Sequence, residues 1–384
     1  MKILIIGGMG IIGGAITKAA AKHNMEVYVL SRRALFGEWL ELGVNGIQGN
    51  WKDDTLADSV VAEGFDVIVD TQAFNVEQLK RSLHIVNNHC QQYIYISTDS
   101  VYEHPAKGLS EEKPIDINKI YWDYGINKRK CELYLLENSD KYNFFWTGIR
   151  PTITFGNTRI PVGYATKRNT YTLAERILEG KPILRFDDSQ TRHAICHSSI
   201  FGETAIGLFM NPKDVNELYH ISDDYAYTYD EIFDAIEKVL GKKGIYVKVP
   251  TEMVKFYSRS IYEEMIYDKN PEYVLDNTKI KRDSPYASYH VDIEEAMNSV
   301  LGYLKTHAQS EDEEYNLITD NILVEYVNSI EDPKLKKLVS GYLANLSSDY
   351  LKELSSFKKK RKIYNILYPL KCVKRIVKKA LLRK

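Results

Sequence analysis

The sequence opens with Lys2-Ile-Leu-Ile-Ile-Gly-Gly-Met-Gly-Ile-Ile-Gly13, a short apolar run that leads directly into a turn with four glycines. A helical pattern rich in alanine follows over 11–21. Glycines at such a turn let the backbone approach a pyrophosphate, whose charge then lies at the N-terminus of the next helix. The order of strand, glycine turn and helix therefore predicts a dinucleotide site, and a glycine-rich turn without a ligand is the alternative. The glycines at 8, 10 and 13 and those at 7, 10 and 13 each fit a known spacing of this motif. The spacing therefore does not distinguish between subfamilies of dinucleotide-binding proteins.

Strands and helices alternate through the first hundred residues. Apolar runs predict strands at 2–6, 26–30, 45–48, 66–70 and 93–97, with helical patterns between them. Near-continuous apolar strands are buried on both faces, so the predicted fold class is α/β, a Rossmann-type doubly wound parallel sheet. Ligands of such sheets bind beyond the carboxyl ends of the strands. The candidate cofactor-binding residues at those ends are Gly7, Gly10, Ile11, Ile12, Gly13, Ser31, Arg32, Arg33, Asn50, Trp51, Thr71, Gln72 and Ala73.

The residues after the second strand bear on the choice of cofactor. An acidic side chain at this place binds the adenosine ribose of NAD, whereas an arginine accommodates the 2′-phosphate of NADP. The chain has Leu30-Ser-Arg-Arg33 and no acid there. This pattern favours NADP over NAD, and two solvated surface charges are the alternative interpretation.

Tyr124 and Lys128 form the candidate catalytic pair. They lie four residues apart in a helical pattern over 121–138, which places both side chains on one helix face. A phenol with a pKa of about 10 is a weak base at neutral pH, and a nearby ammonium favours its ionised form. Thr98, at the end of the fifth strand, is placed to hydrogen-bond the same substrate oxygen. The chain has 28 tyrosines, so an ordinary surface pair is the alternative, and the position after the fifth strand argues against it.

Further motifs occur in order along residues 1–305. Besides the glycine turn and the Tyr/Lys pair with Glu132 after it, they are Tyr95-Ile-Ser-Thr-Asp-Ser-Val-Tyr102, Arg150-Pro-Thr-Ile-Thr-Phe-Gly156, Asp188-Ser-Gln-Thr-Arg192 and Asp276-Asn-Thr-Lys-Ile-Lys-Arg282. With these motifs the chain resembles an extended short-chain dehydrogenase/reductase of the NAD-dependent epimerase/dehydratase family, whose members modify nucleotide sugars.

The resemblance assigns roles to particular side chains. The implied catalytic triad is Thr98, Tyr124 and Lys128, the implied nicotinamide contacts are Tyr124, Lys128, Pro151 and Ile153, and the candidate substrate contacts are Asp99, Ser100 and Arg192. A guanidinium at Arg192 suits the diphosphate of a nucleotide sugar, and a surface ion pair is the alternative. The resemblance also implies a homodimer through the long helices that follow the fourth and fifth strands.

One departure from the family pattern limits the types of reaction that this chain is expected to catalyse. Dehydratases of the family carry an Asp-Glu pair after the threonine, whereas this chain has Asp99 and then Ser100. A hydroxyl cannot replace a carboxylate as a general base near neutral pH, which argues against a 4,6-dehydratase. Glu103 and His193 also depart from the family pattern and affect substrate identity. We expect an epimerase that transiently oxidises a sugar hydroxyl at C4, with an NADP-dependent ketoreductase or dehydrogenase as the alternative.

A second class of function comes from a divergent branch of the same family. The segments 70–73 and 122–131 resemble chloroplast stem–loop RNA-binding proteins, which keep the fold while some lose the cofactor chemistry. The intact glycines and triad oppose this interpretation. So does the charge, because residues 1–357 carry 39 basic groups against 52 acidic ones, a formal −13, and RNA binding needs a basic surface.

The composition indicates the cellular compartment in which the protein is expected. No apolar run reaches the ~18 residues that span a bilayer, and a strand starting at Lys2 leaves no room for a signal peptide. The four cysteines have neither paired nor metal-type spacing, which is typical of reduced thiols. We therefore expect a cytoplasmic protein with no required metal.

The predicted domain organisation has three parts. Residues 1–155, with 196–221 returning to them, form the dinucleotide-binding domain. Residues 156–195 and 222–307 form a smaller α/β substrate domain, in which Thr228 and Glu231 are a capping-box signature. Residues 308–384 form a helical extension, with a linker at 310–315 and helices at 317–330 and 334–354.

The end of the extension is strongly basic. Residues 358–384 contain twelve Lys or Arg and no Asp or Glu. Apolar residues at 370, 373, 376, 377, 380 and 381 form one helical stripe. Contact with an anionic membrane surface is the preferred interpretation. Docking on an acidic protein surface and a nucleic-acid-binding arm are the alternatives.

Overall fold

The computed structural model describes residues 1–167, 170–186, 190–213, 215–287 and 290–381, without the side chains of Ala106 and of 368–381. The strands are β1 (Lys2–Ile6), β2 (Glu26–Ser31), β3 (Asn45–Gln48), β4 (Phe65–Asp70), β5 (Cys90–Ile96), β6 (Ala106–Leu109), β7 (Phe145–Pro151), β8 (Ile153–Phe155), β9 (Pro182–Arg185), β10 (Arg192–His197), β11 (Glu217–Ile221), β12 (Ala226–Thr228), β13 (Ile245–Lys248) and β14 (Tyr273–Leu275).

The α-helices are α1 (Ile11–Lys22), α2 (Glu38–Glu41), α3 (Asp54–Val61), α4 (Val76–Val86), α5 (Asp123–Asn138), α6 (Thr172–Glu179), α7 (Ser198–Ile206), α8 (Tyr229–Leu240), α9 (Glu252–Tyr257), α10 (Arg259–Glu264), α11 (Thr278–Asp283), α12 (Ile293–His307), α13 (Glu313–Tyr326), α14 (Pro333–Ala344) and α15 (Ser348–Leu381). Short 3-10 turns lie at Asp99–Val101, Ile117–Lys119, Ser139–Lys141 and Val327–Ser329, and a π-helical turn lies at Met265–Lys269. Within the described residues, no helix is both long and apolar enough to cross a membrane.

A seven-stranded sheet of order β11-β7-β5-β4-β1-β2-β3 is parallel throughout. The predicted Rossmann-type doubly wound sheet is therefore confirmed. Alternate residues of β1 face opposite layers: Ile3 and Ile5 pack with α1 and α7, whereas Leu4 and Ile6 pack with α3, α4 and α5. Burial on both faces explains why the strands are continuous apolar runs in the sequence.

The chain forms two compact units, and the first contains the large sheet. It comprises Met1–Pro161, Ser189–Ile232 and Pro271–Val300. A second sheet in this unit has the order β12-β10-β14-β6, with β8 paired to β10. The predicted capping box is present at the start of α8, because the Thr228 amide donates to Glu231 Oε2 at 2.7 Å and the Glu231 amide donates to Thr228 Oγ1 at 3.2 Å.

The second unit comprises Val162–Asp188, Phe233–Asn270 and Leu301–Lys384. It holds the two-stranded sheet β9–β13 together with α13, α14 and α15. At its centre the buried Arg176 guanidinium donates to Asp320 Oδ1 at 2.7 Å and to Asn316 Oδ1 at 2.8 Å. The C-terminal helices thus share one unit with 162–188, although the sequence predicts a separate extension over 308–384.

Two local predictions in this unit need correction. The segment 310–315, expected to be a linker, contains the buried Asp312, whose carboxylate accepts from the Tyr315 amide and caps α13. The helix expected over 334–354 is two helices, because α14 ends at Ala344 and α15 begins at Ser348. Asn345 at the break donates to the Gly341 carbonyl at 3.0 Å, a local bond that competes with continuing the helix.

Candidate active site

The glycine turn joins β1 to α1 and lies wholly in the first unit. Gly7 has a φ of +84°, and its amide donates to the Leu30 carbonyl of β2 at 2.9 Å. A Cβ at Gly13 would lie 2.4 Å from the Gly7 carbonyl oxygen, so only glycine permits this tight entry into α1. Thr17 Oγ1 donates to the Gly8 and Gly13 carbonyls at 3.0 and 2.8 Å and fixes the turn.

The N-terminus of α1 is suited to an anion. Gly10 is the N-cap residue and provides no side-chain cap, and the first turn carries no acidic residue. The amides of Ile11, Ile12 and Gly13 therefore lie at a helix end whose dipole favours negative charge. These residues fit the pyrophosphate of a dinucleotide.

The residues after β2 present positive charge to solvent. Arg32 and Arg33 are exposed, and neither forms a salt bridge with a carboxylate of the described residues. Ser31 Oγ donates to the Arg33 carbonyl and contacts Met9 Sδ, so the segment turns back toward the glycine turn. The arrangement leaves both guanidinium groups available to a phosphate, and this role stays a prediction.

Asn50 and Trp51, the two predicted cofactor contacts after β3, have different surroundings. Asn50 Oδ1 accepts from the Lys52 amide at 3.2 Å and shapes the turn. Trp51 is 6% exposed, packs in the core beside β1 and β4, and donates from its indole nitrogen to Ser82 Oγ at 2.9 Å. Its side chain faces the core, which leaves the backbone of Trp51 for any cofactor contact.

The loop after β4 is held by a buried carboxylate. Asp70 Oδ1 accepts from the Gln72 and Ala73 amides at 2.6 and 3.1 Å, and its Oδ2 accepts from the Tyr93 hydroxyl at 2.8 Å. Thr71 Oγ1 donates to the Ile6 carbonyl at 2.8 Å, which ties the loop to β1. Thr71–Ala73 are thereby fixed next to the glycine turn.

Thr98 begins a compact hydroxyl-rich turn after β5. Its Oγ1 lies 3.2 Å from Asp99 Oδ1 and 3.1 Å from Ser100 Oγ, and it accepts from the Ser100 amide at 3.2 Å. All three residues are buried. Thr98, Asp99 and Ser100 therefore form one hydrogen-bonded cluster, as their adjacency predicts.

Helix α5 brings the Tyr/Lys pair to this turn. Tyr124 is half-buried on its first turn, and its ring lies 5.0 Å from that of Trp122. A Cβ at Gly125 would lie 2.2 Å from the Ser100 carbonyl oxygen, so the glycine lets α5 approach the Thr98 turn closely. The structure thus places the first turn of α5 against the turn that carries Thr98.

Lys128 is buried and held between two strand ends. Its ammonium donates to the Ala73 carbonyl at 2.8 Å and to the Ile96 carbonyl at 2.7 Å. It also lies 4.8 Å from the Phe74 ring and 5.0 Å from the Tyr95 ring. Burial lowers the pKa of Lys128 to about 8, although nearby acidic groups partly offset the effect. The side chain is positioned by the fold before any ligand binds.

One turn further along α5, a buried ion-pair network joins the helix to β7. Arg150 donates to both oxygens of Glu132 at 2.8 and 2.9 Å, and Ser97 Oγ donates to Glu132 at 2.6 Å. Burial alone raises the pKa of Glu132, but Arg150 and these hydrogen bonds outweigh it and hold the pKa below its usual value. The network fixes Ser97, the neighbour of Thr98.

The same network extends to β11. Arg150 lies 2.8 Å from the Tyr102 hydroxyl, which lies 2.9 Å from His220 Nδ1. The Asp276 carbonyl accepts from His220 Nε2 at 2.9 Å. Burial lowers the pKa of His220 to about 4, so the ring is neutral at pH 7 and suits a purely structural hydrogen bond.

The remaining predicted contacts lie on β7, β8 and β10. Pro151 and Ile153 are buried at the carboxyl end of β7 and on β8. Arg192 donates to the Ala226 carbonyl at 2.7 Å, lies 3.4 Å from Glu231 and faces the Tyr225 ring at 5.2 Å. Its side chain is 42% exposed. The ion pair predicted as the alternative is present, and diphosphate binding by Arg192 stays a prediction.

The structure also links the sheet of Arg192 to the Thr98 turn. His193 pairs in register with Tyr273 of β14, and the Tyr273 hydroxyl donates to the Asp99 carbonyl at 2.9 Å. Residues 188 and 189 of the motif that ends at Arg192 lie outside the described residues. Sequence reasoning did not assign roles to Asp70, Ser97, Gly125 or Tyr273. Only Gly125, directly after Tyr124, gives a local signal.

Comparisons with known proteins agree with this geometry. Residues 3–199 match the model of the NAD dependent epimerase/dehydratase family. A comparison with curated sequences gives no significant match. Among solved structures, UDP-glucuronic acid 4-epimerase from Bacillus cereus in complex with NAD is 18% identical, with a TM-score of 0.64 over 80% of this chain and 97% of that chain. UDP-glucose 4-epimerase from Thermus thermophilus in complex with NAD is 18% identical, with a TM-score of 0.62 over 79% of this chain and 99% of that chain.

A third similar structure is UDP-N-acetylglucosamine 4-epimerase from Methanobrevibacter ruminantium in complex with UDP-N-acetylmuramic acid. It is 17% identical, with a TM-score of 0.61 over 79% of this chain and 98% of that chain. At this level of identity the three structures establish the fold. The family model covers more than half of the chain, and the fold and motif order agree with it. The chain belongs to the NAD-dependent epimerase/dehydratase family.

Proposed function

We propose that the protein is an NAD(P)-dependent nucleotide-sugar epimerase that inverts a sugar carbon, C4, by transient oxidation of its hydroxyl. The observation that carries the proposal is the buried Lys128. This lysine lies on α5, the helix whose first turn carries Tyr124 and approaches the Thr98 turn at Gly125, and its ammonium is held by the Ala73 and Ile96 carbonyls. An acid/base tyrosine needs such a neighbour.

The chain's own residues supply the proton chemistry. Tyr124 removes the proton of the sugar hydroxyl and later returns it, while Thr98 hydrogen-bonds the same oxygen. The Lys128 ammonium stabilises the phenolate of Tyr124 electrostatically. A nicotinamide dinucleotide supplies a reversible hydride acceptor when bound. Amides at the start of α1 and the side chains after β2 would hold its phosphates.

The similar structures favour epimerisation at C4. Three of them carry the names of UDP-sugar 4-epimerases, and two are complexes with NAD. In this chain Ser100 occupies the place of the dehydratase glutamate and bonds to Thr98. Because position 100 has a hydroxyl in place of the carboxylate, the general base that a dehydratase uses to eliminate water is missing. Epimerisation would need only the tyrosine, the lysine and a bound nicotinamide cofactor that accepts and returns hydride.

The test incubates the purified protein separately with UDP-glucose, UDP-glucuronic acid and UDP-N-acetylglucosamine and a trace of NAD or NADP. An epimerase converts one of them to its C4 epimer, detected by NMR, without net formation of reduced cofactor. Stoichiometric accumulation of a keto sugar with reduced cofactor would instead identify a dehydrogenase. Failure of all three substrates together with absence of cofactor binding would overturn the proposal.

Tyr124→Phe removes the proposed acid/base hydroxyl. We expect turnover to fall by at least ~100-fold with cofactor affinity changed little, because the ring remains and only proton transfer is lost. Tyr121→Phe is the matched control, since Tyr121 lies in the same segment and is 73% exposed. Steady-state kinetics checks both variants, and near-normal turnover of Tyr124→Phe would refute the assignment.

A second candidate, an NADP-dependent nucleotide-sugar ketoreductase, is favoured by one observation. Arg32 and Arg33 are exposed directly after β2, with no acid to bind an adenosine ribose. We infer NADP preference from them for either reaction, because guanidinium groups bind a 2′-phosphate. The same catalytic residues serve both reactions, so the product test above separates them.

Replacing both arginines tests the cofactor preference. Arg32→Ser with Arg33→Ser should weaken NADP binding by roughly 10-fold or more and leave NAD binding nearly unchanged, because only NADP carries the extra phosphate. Fluorescence titration measures both dissociation constants. Lys52→Ser, at another exposed cation after a strand, is the control. Tighter binding of NAD than of NADP by the unaltered protein would contradict the preference.

We also propose that the protein works in the cytoplasm as a homodimer through α4 and α5. The exposed Leu136 on α5, with 47% of its surface accessible, supports this contact. Sedimentation velocity of Leu136→Asp against the unaltered protein tests it, and a monomer in both cases would exclude the dimer.

A further inference from the structure

Among the side chains that the structure describes, those from Leu354 to Arg361 anchor helix α15 to its own unit. Leu354 is buried, and the Phe357 ring stacks on Tyr257 of α9 with centroids 6.2 Å apart. Lys358 pairs with Glu325 of α13 at 2.9 Å, and Arg361 pairs with Glu314. The first half of α15 is therefore a packed part of the second unit.

Beyond Arg361 the helix presents apolar side chains to solvent. Ile363 is 58% exposed, Ile366 65%, and Leu367 43%. Asn365 donates to the Phe256 carbonyl of α9 at 2.8 Å, so the described contacts with α9 reach this position. Three aliphatic residues within five positions, all exposed, form an apolar strip on the described surface of the helix.

The sequence continues this strip to the end of the described helix. The backbone of α15 is helical to Leu381, so positions three and four apart share a face. Apolar residues recur at that spacing at 363, 366, 367, 370, 373, 376, 377, 380 and 381. Lysine and arginine occupy other positions at 371, 374, 375, 378 and 379, with no acidic residue from 358 onward. The pattern is a wide apolar stripe flanked by positive charge.

We propose that α15 from residue 362 onward lies on the surface of an anionic phospholipid bilayer. The apolar stripe would enter the boundary between headgroups and acyl chains, and the basic residues would meet the headgroup phosphates. Five basic residues within nine positions are costly at the centre of a bilayer, so the helix lies along the surface rather than across it. A purely electrostatic nucleic-acid arm has no use for the aliphatic stripe.

The charge distribution supports a membrane over the protein's own acidic surface. Lys358 and Arg361 already pair with the carboxylates that face α15. An acidic surface alone would leave Ile363 and Ile366 exposed to water. A lipid surface satisfies the charges and the apolar stripe together.

Full-length protein is sedimented with vesicles of phosphatidylcholine alone or with about 30% phosphatidylglycerol. We expect roughly 10-fold more bound protein on the anionic vesicles, decreasing in high salt. Ile363→Glu with Ile366→Glu should abolish the difference, because it places carboxylates on the stripe. Leu338→Glu is the control, since Leu338 is 54% exposed on α14 of the same unit. Circular dichroism confirms that each variant is folded.

Three results would overturn the proposal. One is equal, negligible sedimentation of the unaltered protein with both vesicle types. Another is unchanged vesicle binding by the double variant, which would show that charge alone causes the binding. If RNA also binds the unaltered protein and the double variant equally, the segment is a nucleic-acid-binding arm. The third is that the unaltered protein forms a dimer in the absence of vesicles, whereas the double variant is a monomer. Epimerase turnover is measured in parallel and should not change, so failure here is distinct from failure of the catalytic assignment.

Discussion

At the scale of single residues, the site depends on how closely backbone segments approach one another. Lys128 is held by two carbonyls, and one of them belongs to Ala73, whose amide is fixed by Asp70. Gly125 makes no such side-chain contact. Its role is to leave room for the Ser100 carbonyl to approach α5. Lys128 and Gly125 thus both fix the position of α5, the helix that carries Tyr124, relative to neighbouring backbone.

Gly125→Ala tests this close approach. The added Cβ would lie 2.2 Å from the Ser100 carbonyl oxygen, so α5 must move away from the Thr98 turn. Because misplacement of about 1 Å can cost ~100-fold in rate, we expect turnover to fall by roughly that factor while the protein remains folded. Kinetics and thermal unfolding are measured together.

Gly302→Ala provides the comparison for that change. Gly302 lies in α12, and a Cβ there meets no atom within 4 Å. Alanine should therefore stabilise the protein by about 0.5–1 kcal/mol and leave turnover unchanged. Full activity of Gly125→Ala would show that the Ser100 carbonyl moves without consequence.

At the scale of elements, the attachment of α5 to β7 rests on Glu132 and Arg150. Arg150→Met leaves a buried carboxylate without its main partner, so we expect a loss of about 3–5 kcal/mol in the free energy of unfolding at pH 7. The folded-state pKa of Glu132 is lowered, so the pair stabilises the protein above the usual glutamate pKa and loses this effect as pH falls. The difference between the two proteins should narrow below a pH of about 4.

Urea unfolding at several pH values measures that difference. Arg129→Met is the matched control, because Arg129 contacts Glu132 at 2.9 Å while Arg150 still binds both carboxylate oxygens. We expect it to cost about 1 kcal/mol. Equal losses for the two arginine variants, or a gap independent of pH, would show that the network does not attach the helix.

At the scale of the whole molecule, the C-terminal helices belong to a compact unit centred on Asp320. Its carboxylate accepts from Arg176 on α6, from Tyr342 on α14 at 3.0 Å and from Tyr350 on α15 at 2.9 Å. One buried acid therefore joins three helices to α13. Up to about Arg361, the C-terminal extension is therefore an integral part of this unit and not an appended arm.

Asp320→Ala should loosen this unit selectively. Removing the shared acceptor leaves a buried guanidinium unpaired, at a cost of roughly 3–5 kcal/mol, so amide hydrogen exchange should accelerate over 313–357 more than over 1–161. Asp349→Ala is the control, because Asp349 is 89% exposed and pairs with the exposed neighbour Lys352 on the helix surface. It should change exchange little. Uniform acceleration along the chain would contradict a unit centred on Asp320.

The sequence by itself determined the parallel sheet, the glycine turn, the Tyr/Lys pair and the capping box at Thr228. These features are local, since apolar runs, glycine spacing and helix periodicity depend on neighbouring residues. Only the tertiary structure decided that Trp51 faces the core and that Asp70 holds the loop supporting Lys128. It also decided that the C-terminal helices join residues 162–188 in one unit. Such pairings join residues far apart in the chain, and burial of apolar surface together with satisfaction of buried charges selects them.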